Sequence, residues 1–589
     1  MADQNSPQMK STLGLTGLTS NAMALIAPGA FLWLTFYLQA TEGTTSPSMW
    51  FGIVVALLLC LATAVAYAEI SKLYPGTGSS YYYAEQALLS QPGLFKYARV
   101  AKFIVGWGSH LYYWVYPGVM VATTGVFVGY VVGFLYPTFM SGSNPGPLFM
   151  ALVAVVFSFF VAWIAAKGAG ASTAVNLAIN VIQISALLVF SVLALGYRAN
   201  HPASAAAFQY DSQTLATYDY QFATAKDGTP LRDTTGNPLP LLDAAGKKVP
   251  FTIDYPEKDA SGNFLTHGTA SSVVAPHKIS FVFIQATVAI LILVGFESVT
   301  SMGGEAKNPT KHIPIAVIAS LLIQGVVCYL IEYFAANYFL NSGYTMQAAA
   351  NSAAPIGDMM IIVGDALLGH GNGRYFMLAE AFTVFLALIG TTLSCMNTGA
   401  RVTYAMGKDD EAPEHFGILH AGSLSPRKAI WTLAVISAVL GVVGVSLYFA
   451  DGSAPTDATI AALPHGIFSS FGYTTHDQMA GLPNSILAVT LTSNFGTFIL
   501  YALSCFLCIV AFRGRPDYNV VLHLLIPGFG LLANLACMTA YLIVPFMGYG
   551  TWKEPYLALG ISAVWAIYGG IYFLRSSKTK GKAILLESK

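Results

Sequence analysis

Charged side chains are scarce in this sequence of 589 residues. The 28 lysines and arginines equal the 28 aspartates and glutamates in number, and together they make up only 10% of the chain. A soluble globular protein carries roughly 25% charged residues, so the composition excludes a soluble enzyme and a disordered chain. The balanced charge without a basic block argues against a nucleic-acid partner. With 55% hydrophobic residues and a mean hydropathy of +0.60, the sequence predicts a polytopic membrane protein.

Cysteine is also rare. Each of the six cysteines lies in an apolar run, so we expect no disulfide in the loops. The Cys505-x-x-Cys508 spacing is typical of redox and metal motifs, but inside an apolar helix it indicates small packing residues. The chain also lacks clustered His and Asp ligands, a Ser–His pair and a glycine-rich nucleotide loop. These absences predict a protein that is not an enzyme and binds no metal or cofactor.

Long apolar runs account for most of the remaining chain. A membrane-spanning helix needs ~20 mostly apolar residues, and twelve runs meet this requirement. Each run is solidly apolar rather than alternating, which predicts an all-α protein and not a β-barrel. The predicted organisation is an N-terminal tail (1–11), spans 1–5 (12–197), an extracytoplasmic loop (198–278), spans 6–10 (279–512), spans 11–12 (513–574) and a C-terminal tail (575–589).

Lysine and arginine in the short loops predict the orientation. If the N-terminus is cytoplasmic, Arg374 and Lys553 are the two basic residues of short loops that fall outside. The positive-inside rule therefore places both termini in the cytoplasm. The N-terminus has no basic segment followed by a small-residue cleavage site, so we expect no removable signal peptide. These patterns predict a multi-pass protein of the cell (inner or plasma) membrane.

The loop of residues 198–278 is polar, and turn signals such as Gly236-Asn237-Pro238 separate its short apolar runs. This pattern predicts a small external cap of short hairpins. We expect the cap to be a solvated element without a site of its own. Two shorter excursions, about Asn341–Arg374 and Asp451–Pro483, are candidates to pack against it.

Two spans contain residues that interrupt a helix. In span 1, Pro28 removes a backbone donor and Gly29 weakens the helix; in span 6 the interruption is at Gly295, followed by Phe296 and Glu297. Span 1 opens one set of five helices, and span 6 opens another in the opposite orientation. Paired interruptions of this kind predict a binding site at the midplane of an inverted-repeat transporter. For one helix alone, the alternative is a simple kink.

The interruption in span 1 predicts how a substrate binds. A half-helix that starts at Pro28 presents the N–H groups of the next three residues and the positive end of its dipole, which suit a carboxylate. The preceding half ends in unpaired carbonyls near residues 24–26, which suit an ammonium group or another cation. A zwitterion therefore fits the geometry. The predicted substrate-binding residues are Ile26, Ala27, Pro28, Gly29, Ala30, Val294, Gly295, Phe296 and Glu297.

Charged residues inside the spans are candidates for gating and coupling, because each costs about 2.5–3.5 kcal/mol on insertion scales. Glu297 at the interruption favours contact with substrate, a proton or a gate; the alternative is a carboxyl that ties loose backbone donors together. Glu332 and Glu380 are equally compatible with a neutral hydrogen-bonded carboxyl. Glu69 and Arg401 lie near cytoplasmic helix ends, where the alternatives are inner-gate pairing and snorkelling.

Three segments resemble the signatures of the amino acid–polyamine–organocation (APC) superfamily. They are Tyr67-Ala-Glu69 to Pro75-Gly76-Thr-Gly78, Gly295-Phe-Glu297 to Glu305-Ala-Lys307-Asn308-Pro309, and Ala400-Arg401 to Gly407-Lys-Asp409-Asp410. The resemblance covers about residues 12–574. It implies the LeuT-type fold, with about twelve transmembrane helices, a 5+5 inverted repeat and discontinuous helices 1 and 6. It also implies alternating access, with the substrate carboxylate on span 1 and its amine near span 6.

The resemblance also implies candidates for ion coupling. Proton-coupled members carry a lysine in span 5 at the position that matches Gln183, which cannot titrate. Thr391, Thr392 and Ser394 in span 8 offer hydroxyls for a sodium site with span 1 carbonyls, although small polar residues also simply pack helices. Independently of the resemblance, His110 in span 3 is typical of a core histidine, with a proton relay as the alternative. Exchange without ion coupling and protonation of the span 6 carboxyl stay open.

The predicted function is a secondary transporter of amino acids, acting as a symporter or an exchanger. A polyamine or other amine transporter of the same fold is the alternative, favoured by Pro28, which removes one donor from the carboxylate seat, and by the acidic side chain of Glu332 or Glu380 inside the spans. A membrane-embedded enzyme or a channel is a different class to be tested. The predicted partners are a small-molecule substrate and the lipid bilayer.

Overall fold

The structure is a computed structural model of the chain. It describes residues 9–587 except 42, 137–145, 202–208, 212, 215, 227, 252–268, 276–277, 351, 353, 447–483, 544–545 and 547–552. Within these ranges, ten helices are long and apolar enough to span a membrane. Spans 1 and 6 are each divided into two shorter segments, so the predicted all-α architecture of about twelve spans is confirmed. The excursion Asp451–Pro483 lies outside the described residues.

The first half of the chain begins with the divided span 1, which consists of α1 (Leu15–Ile26) and α2 (Pro28–Thr41). A 3₁₀ turn (Gly43–Ser48) leads into span 2. Span 2 is α3 (Met49–Leu73), and the short α4 (Ser80–Leu89) follows it. Span 3 consists of α5 (Ala98–Tyr113) and α6 (Tyr116–Leu135). Span 4 is α7 (Gly146–Ala165), and span 5 is α8 (Ala169–Asn200).

The second half begins with the divided span 6, after the short α9 (Ala270–Val274) of the loop. Span 6 consists of α10 (Ile279–Ala289), a 3₁₀ turn (Ile290–Ile292) and, beyond Gly295, a 3₁₀ segment (Phe296–Glu305). Span 7 consists of α11 (Pro309–Leu322), a π-helical segment (Ile323–Leu330) and α12 (Ile331–Phe339). The short helices α13 (Met346–Ala350) and α14 (Pro355–Leu368) follow. Spans 8, 9 and 10 are α15 (Gly373–Lys408), α16 (Arg427–Ser446) and α17 (Asn484–Phe512). Span 11 consists of a π-helical segment (Val521–Leu525) and α18 (Ile526–Ile543), and span 12 is α19 (Lys553–Lys580).

Helix α1 lies inside the bundle. It packs against spans 5, 6, 7 and 8, and its last seven residues, Ser20–Ile26, are all buried. A helix that is buried on every side needs partners for its terminal backbone groups, because water does not reach them. Spans 6 and 7 also pack on span 2, whereas spans 3, 4 and 9 pack on one another. The interruption in span 1 is therefore enclosed by other spans.

The predicted hairpins of the loop are confirmed. Strands β1 (Gln209–Asp211) and β2 (Ala216–Tyr218) pair antiparallel, and further antiparallel bridges continue to residue 250. Within the hairpins, Tyr218, Tyr220 and Phe222 form a small buried cluster. The Tyr218 ring stacks on His370, with 5.2 Å between ring centroids, so the excursion of residues 341–374 contacts the cap. We call this side of the bundle the cap end and the opposite side the tail end.

Candidate functional site

The interruption of span 1 is centred on Ala27. This residue has φ 37° and ψ 67°, in the left-handed region, and its N–H donates to the Met23 carbonyl oxygen at 3.0 Å. Left-handed backbone is uncommon for a residue with a Cβ atom. The following proline disfavours the α-helical conformation of the residue before it. Helix α1 therefore ends where the sequence predicts, and α2 begins at Pro28.

The interruption of span 6 is at Gly295, whose φ is 117°. A Cβ atom built there would lie 2.7 Å from Leu25 Cγ and 3.0 Å from the Leu25 carbonyl carbon. No side chain fits this spacing, and left-handed backbone favours glycine. The two interruptions therefore touch each other, through the bare backbone of Gly295 and the last turn of α1.

The carbonyl end of α1 differs from the expectation. The sequence predicts unpaired carbonyls near residues 24–26, but side chains of spans 7 and 8 already donate to two of these oxygens and to the Met23 oxygen. The bonds run from Gln324 Nε2 to Met23 O (3.1 Å), from Thr391 Oγ1 to Leu25 O (3.0 Å) and from Tyr329 Oη to Ile26 O (3.1 Å). A helix end buried away from water needs such donors. The carbonyl oxygens of Leu25 and Ile26 are therefore not unpaired, because neutral side-chain donors of other spans bind them.

The N–H end of the interruption is formed by the start of α2. A Cβ atom on Gly29 would lie 3.3 Å from Ala387 Cβ and 3.4 Å from Gln183 Oε1, so spans 5 and 8 both approach the backbone here. Gln183 Oε1 is buried and has no hydrogen-bond partner among the described residues. The side chains of Pro28 and Ala30 are outside the description. Among the predicted coupling residues, Gln183 thus lies directly against the first turn of α2.

A neutral amide network joins span 5 to α1. Gln183 Nε2 donates to Asn180 Oδ1 at 2.8 Å, and Asn180 Nδ2 donates to the Ser20 carbonyl oxygen at 2.8 Å. Asn176 Nδ2 donates to Asn21 Oδ1 at 2.8 Å and to Ser394 Oγ at 2.9 Å. Only amides and hydroxyls take part. The network fixes the position of α1 without using a titratable group.

Glu297 lies directly beyond the interruption of span 6 and is completely buried. Its Oε1 accepts a hydrogen bond from Tyr113 Oη at 3.0 Å, and its Oε2 accepts bonds from the Tyr501 hydroxyl and from the Gly295 N–H at 3.1 Å. This arrangement matches the more conservative interpretation of the residue, a carboxyl that ties loose backbone donors together. It also connects span 6 to spans 3 and 10.

Aromatic and apolar side chains enclose this carboxyl. Phe296 is buried and packs on Tyr501 and Tyr67, with centroid distances of 5.3 and 6.3 Å. Tyr67 also contacts Tyr501 at 5.9 Å and accepts hydrogen bonds at its hydroxyl from serines of α4 and span 10. Val294 is buried as well. The predicted residues of span 6 therefore lie together in an apolar, tyrosine-rich environment.

The tail end of span 6 is held by a buried ion pair. Arg401 Nε and Nη2 donate to the two carboxylate oxygens of Glu305 at 2.8 and 2.9 Å. The chain before α1 docks on the same segment, because the N–H groups of Thr12 and Leu13 both donate to the Glu305 carbonyl oxygen at 2.9 Å. Of the two alternatives for Arg401, the structure therefore shows a buried ion pair and not a side chain that snorkels to solvent. Glu69 does not join this pair; it contacts Lys72 at 2.6 Å and His523 at 3.4 Å.

The remaining predicted residues do not meet at the interruptions. His110 stacks on Trp114 at 4.3 Å and lies 3.4 Å from Thr403 Oγ1, as expected of a core histidine. Thr392 donates to a carbonyl of its own helix. Glu332 and Glu380 are buried in spans 7 and 8, and the Glu332 carboxylate oxygens have no hydrogen-bond partner within the described part of the chain.

Sequence reasoning missed four residues of this site: Tyr113, Gln324, Tyr329 and Tyr501. Each is a polar side chain in an otherwise apolar span, and this was the one signal that pointed to them. Such side chains are common in membrane helices. Their partners lie far away in sequence, so the pattern alone does not identify them.

The chain is similar to a known family of proteins over nearly its whole length. The family described as "Amino acid permease" matches residues 11–569. The chain is 35% identical to the branched-chain amino acid permease BcaP of Lactococcus lactis subsp. cremoris over 157 residues, which are 26% of this chain and 30% of that protein. It is 22% identical to BcaP of Bacillus subtilis over 75% of this chain and 76% of that protein.

A third relative has a different kind of substrate in its name. The chain is 20% identical to the low-affinity putrescine importer PlaP of Escherichia coli K12, over 73% of this chain and 74% of that protein. The family match covers nearly all of the described spans, including both interruptions. The chain is therefore a multi-pass membrane protein that belongs to the amino acid permease family of the APC superfamily, with its LeuT-type fold.

Proposed function

We propose that the protein is a secondary carrier that moves amino acids across the membrane by alternating access. The observation that carries this proposal is the contact between the two helix interruptions, where Gly295 packs on Leu25. The carbonyl end of α1 at Ile26 and the N–H end of α2 at Pro28 adjoin here, on either side of Ala27. One end suits an ammonium group and the other a carboxylate. A secondary carrier needs such a site between its two repeats.

Each group of an amino acid has a place in this site. The α-carboxylate binds the first-turn N–H groups of α2, and the α-ammonium binds the carbonyl oxygens at the end of α1. The side chain faces Val294 and Phe296, both buried and apolar. The carboxyl of Glu297 is already engaged by two tyrosines and a backbone N–H. Neutral, apolar amino acids therefore suit the site best. The similarity to branched-chain amino acid permeases supports the same class of substrate.

The ion pair of Arg401 and Glu305 is proposed as the gate at the tail end. It joins span 8 to span 6, and alternating access moves one set of spans against the other. We place the tail end in the cytoplasm of a cell membrane, with both termini inside, because the short loops there hold most of the lysines and arginines. Opening toward the cytoplasm then requires the buried pair to separate.

For coupling, we propose exchange or symport that does not depend on a titrating group in span 5. Gln183 and its amide neighbours cannot change charge, which supports this. Sodium is the alternative, because Thr391 and Ser394 donate to span 1 carbonyls at 3.0 and 3.1 Å. Na⁺, like other hard cations, prefers oxygen ligands of this kind. Protonation of Glu297 is the third possibility to be measured.

Uptake by proteoliposomes tests the proposal. A labelled panel of leucine, valine, glutamate, serine, arginine and putrescine is offered with a proton gradient, with a sodium gradient, or with the same unlabelled compound inside. We expect saturable uptake of leucine or valine. Uptake that needs only internal substrate identifies an exchanger, and uptake driven by one gradient identifies a symporter of that ion. Absence of saturable uptake for every amino acid would contradict the proposal.

A transporter of amines is the second candidate. Pro28 at the start of α2 removes one N–H donor from the carboxylate seat, and the relative PlaP is a putrescine importer by name. Putrescine uptake without amino acid uptake in the same panel would favour this candidate. Electrical recording separates both from a channel, because a channel passes ions at rates that no alternating-access carrier reaches.

A further inference from the structure

Span 7 contains a π-helical segment, Ile323–Leu330, directly beside the end of α1. In a regular α-helix, residues five apart point in directions that differ by about 140°. In a π-helix the hydrogen bonds run from i to i+5, so residues five apart lie on nearly the same face. Gln324 and Tyr329 are such a pair. The π-helical geometry therefore lets both side chains reach α1 at once.

The two side chains bind backbone oxygens one turn apart. Gln324 Nε2 donates to Met23 O at 3.1 Å, and Tyr329 Oη donates to Ile26 O at 3.1 Å. Cys328 Sγ lies 3.0 Å from Gln324 Oε1 and orients the amide. Gln324 and Tyr329 are fully buried. The Met23 oxygen also accepts a hydrogen bond from the Ala27 N–H. For the Ile26 oxygen, the Tyr329 hydroxyl is the side-chain donor within the described residues.

These oxygens are the ones that a substrate ammonium group needs. An ammonium group has only donors, so it binds carbonyl oxygens well. Hydrogen bonds from a charged donor are roughly twice as strong as those between neutral groups. An ammonium group can therefore take the Ile26 oxygen from a neutral hydroxyl, whereas a molecule with no cationic donor gains nothing from the exchange.

We propose that Tyr329, assisted by Gln324, is a specificity-determining residue that competes with the substrate ammonium group for the carbonyl oxygens at the end of α1. The inference rests on the proposed function, since it requires a substrate with an amino group. Binding then exchanges the Tyr329 hydroxyl for the ammonium group at Ile26 O. The competition lowers the affinity for every aminated substrate and leaves the affinity for compounds without an amino group unchanged.

The test compares leucine with 4-methylpentanoate, which is leucine without its amino group. Binding of both is measured by calorimetry on the purified full-length protein in lipid nanodiscs, for the wild type and for Tyr329→Phe. We expect Tyr329→Phe to bind leucine roughly fivefold more tightly, because one typical hydrogen bond no longer has to be replaced. We expect the affinity for 4-methylpentanoate to stay within twofold.

Tyr541→Phe is the matched control. Tyr541 Oη also donates to a main-chain oxygen of another span, that of Thr287, at 2.6 Å. This pair lies outside the two interruptions, so its loss affects stability and leaves both affinities unchanged. Gln324→Met serves as a second variant if Tyr329→Phe does not fold. It is expected to raise leucine affinity by roughly twofold only, because the Ala27 N–H still serves the Met23 oxygen.

Three outcomes overturn the inference. Leucine and 4-methylpentanoate affinities that change together show a general structural role for Tyr329. A leucine affinity that is unchanged or lower in a folded Tyr329→Phe or Gln324→Met protein shows that the donors do not compete. A wild-type protein that binds none of the amino acids of the uptake panel overturns the proposed function and this inference with it. In the first two cases the wild type still binds leucine, so the proposed function stands.

Discussion

The interruptions of spans 1 and 6 solve the same structural problem in opposite ways. Span 1 ends at a non-glycine residue, Ala27, and other spans supply the donors that its carbonyl oxygens need. Span 6 is interrupted at a glycine, Gly295, and its own Glu297 accepts the exposed N–H. The first end is satisfied by neutral groups from elsewhere, and the second by a carboxyl of the same span.

This difference separates the hydrogen bonds that a substrate can replace from those that it cannot. Neutral hydroxyl and amide donors at α1 can be exchanged for a substrate group at modest cost. The span 6 interruption depends on the missing Cβ of Gly295 and on a fully buried carboxyl with three donors. We therefore expect substitutions in span 6 to be the more damaging, and four predictions test this comparison.

The largest effect is expected for Gly295→Leu. The new side chain must occupy space within 3.0 Å of Leu25 at a φ that leucine avoids, so the two interruptions separate. Uptake should fall by roughly a thousandfold or more. Ala27→Gly is the control, because glycine adopts the left-handed conformation freely, and its uptake should stay within about threefold of wild type. Normal uptake by a well-expressed Gly295→Leu protein would refute the contact as the basis of the site.

Arg401→Met should have the next largest effect, on stability. Removing one partner strands the buried Glu305 carboxylate, which costs about 3–5 kcal/mol. Thermal unfolding in nanodiscs measures the loss. The double variant Arg401→Met with Glu305→Gln should recover part of it, because no unpaired charge is left. Equal stability of the double and the Arg401→Met variant would contradict the pairing.

Glu297→Gln should reduce uptake by roughly tenfold to a hundredfold. The amide nitrogen of glutamine is a donor, so at least one of the three donors that now face the carboxylate loses its acceptor. Glu332→Gln is the matched control, since no partner of the Glu332 carboxylate is found in the described ranges. That variant should transport within about twofold of wild type. The reverse order of the two effects would contradict the hydrogen-bonding role of Glu297 at the interruption.

The smallest effect is expected in the cap, away from both interruptions. Burial alone would raise the pKa of Asp211, but hydrogen bonds from Arg232 and Thr214 outweigh it, so the pKa lies below its usual range. A carboxyl with a lowered pKa stabilises the folded cap when the pH is above the ordinary pKa of about 3.9. This contribution is lost as the pH falls through the lower pKa of the folded state. Hydrogen exchange of residues 219–251 should therefore show constant protection from pH 7 to about pH 5 and loss below about pH 4.

Asp211→Asn is the control for the cap. This variant cannot ionise, so its protection should be lower at neutral pH and should not change in the acid range. A cap that loses protection already near pH 6 in the wild type would show that a group other than Asp211 controls it. Uptake at neutral pH should be unaffected, because the ion pair with Arg232 lies in the loop and not between the spans.

The spans, the hairpins and both interruptions were predictable because each depends on residues close together in sequence. Apolar runs must cross the bilayer, and Pro28 and Gly295 act on their own backbone. It was harder to predict which charged side chains pair with each other. Arg401 binds Glu305, 96 positions away, whereas Glu69 binds Lys72 and His523. Several arginine and carboxylate positions near the helix ends fit such a pair equally well, and the packing of spans 6 and 8 selects one.

The sequence by itself determined where the helices break, since a missing N–H and a missing Cβ are local properties of proline and glycine. Only the tertiary structure decided which groups satisfy the broken ends. The donors Tyr329 and Gln324 reach α1 because span 7 adopts a π-helical turn beside it, and Tyr113 and Tyr501 converge on Glu297 from separate spans. A buried backbone group must find a partner, but which one it finds depends on how distant helices pack.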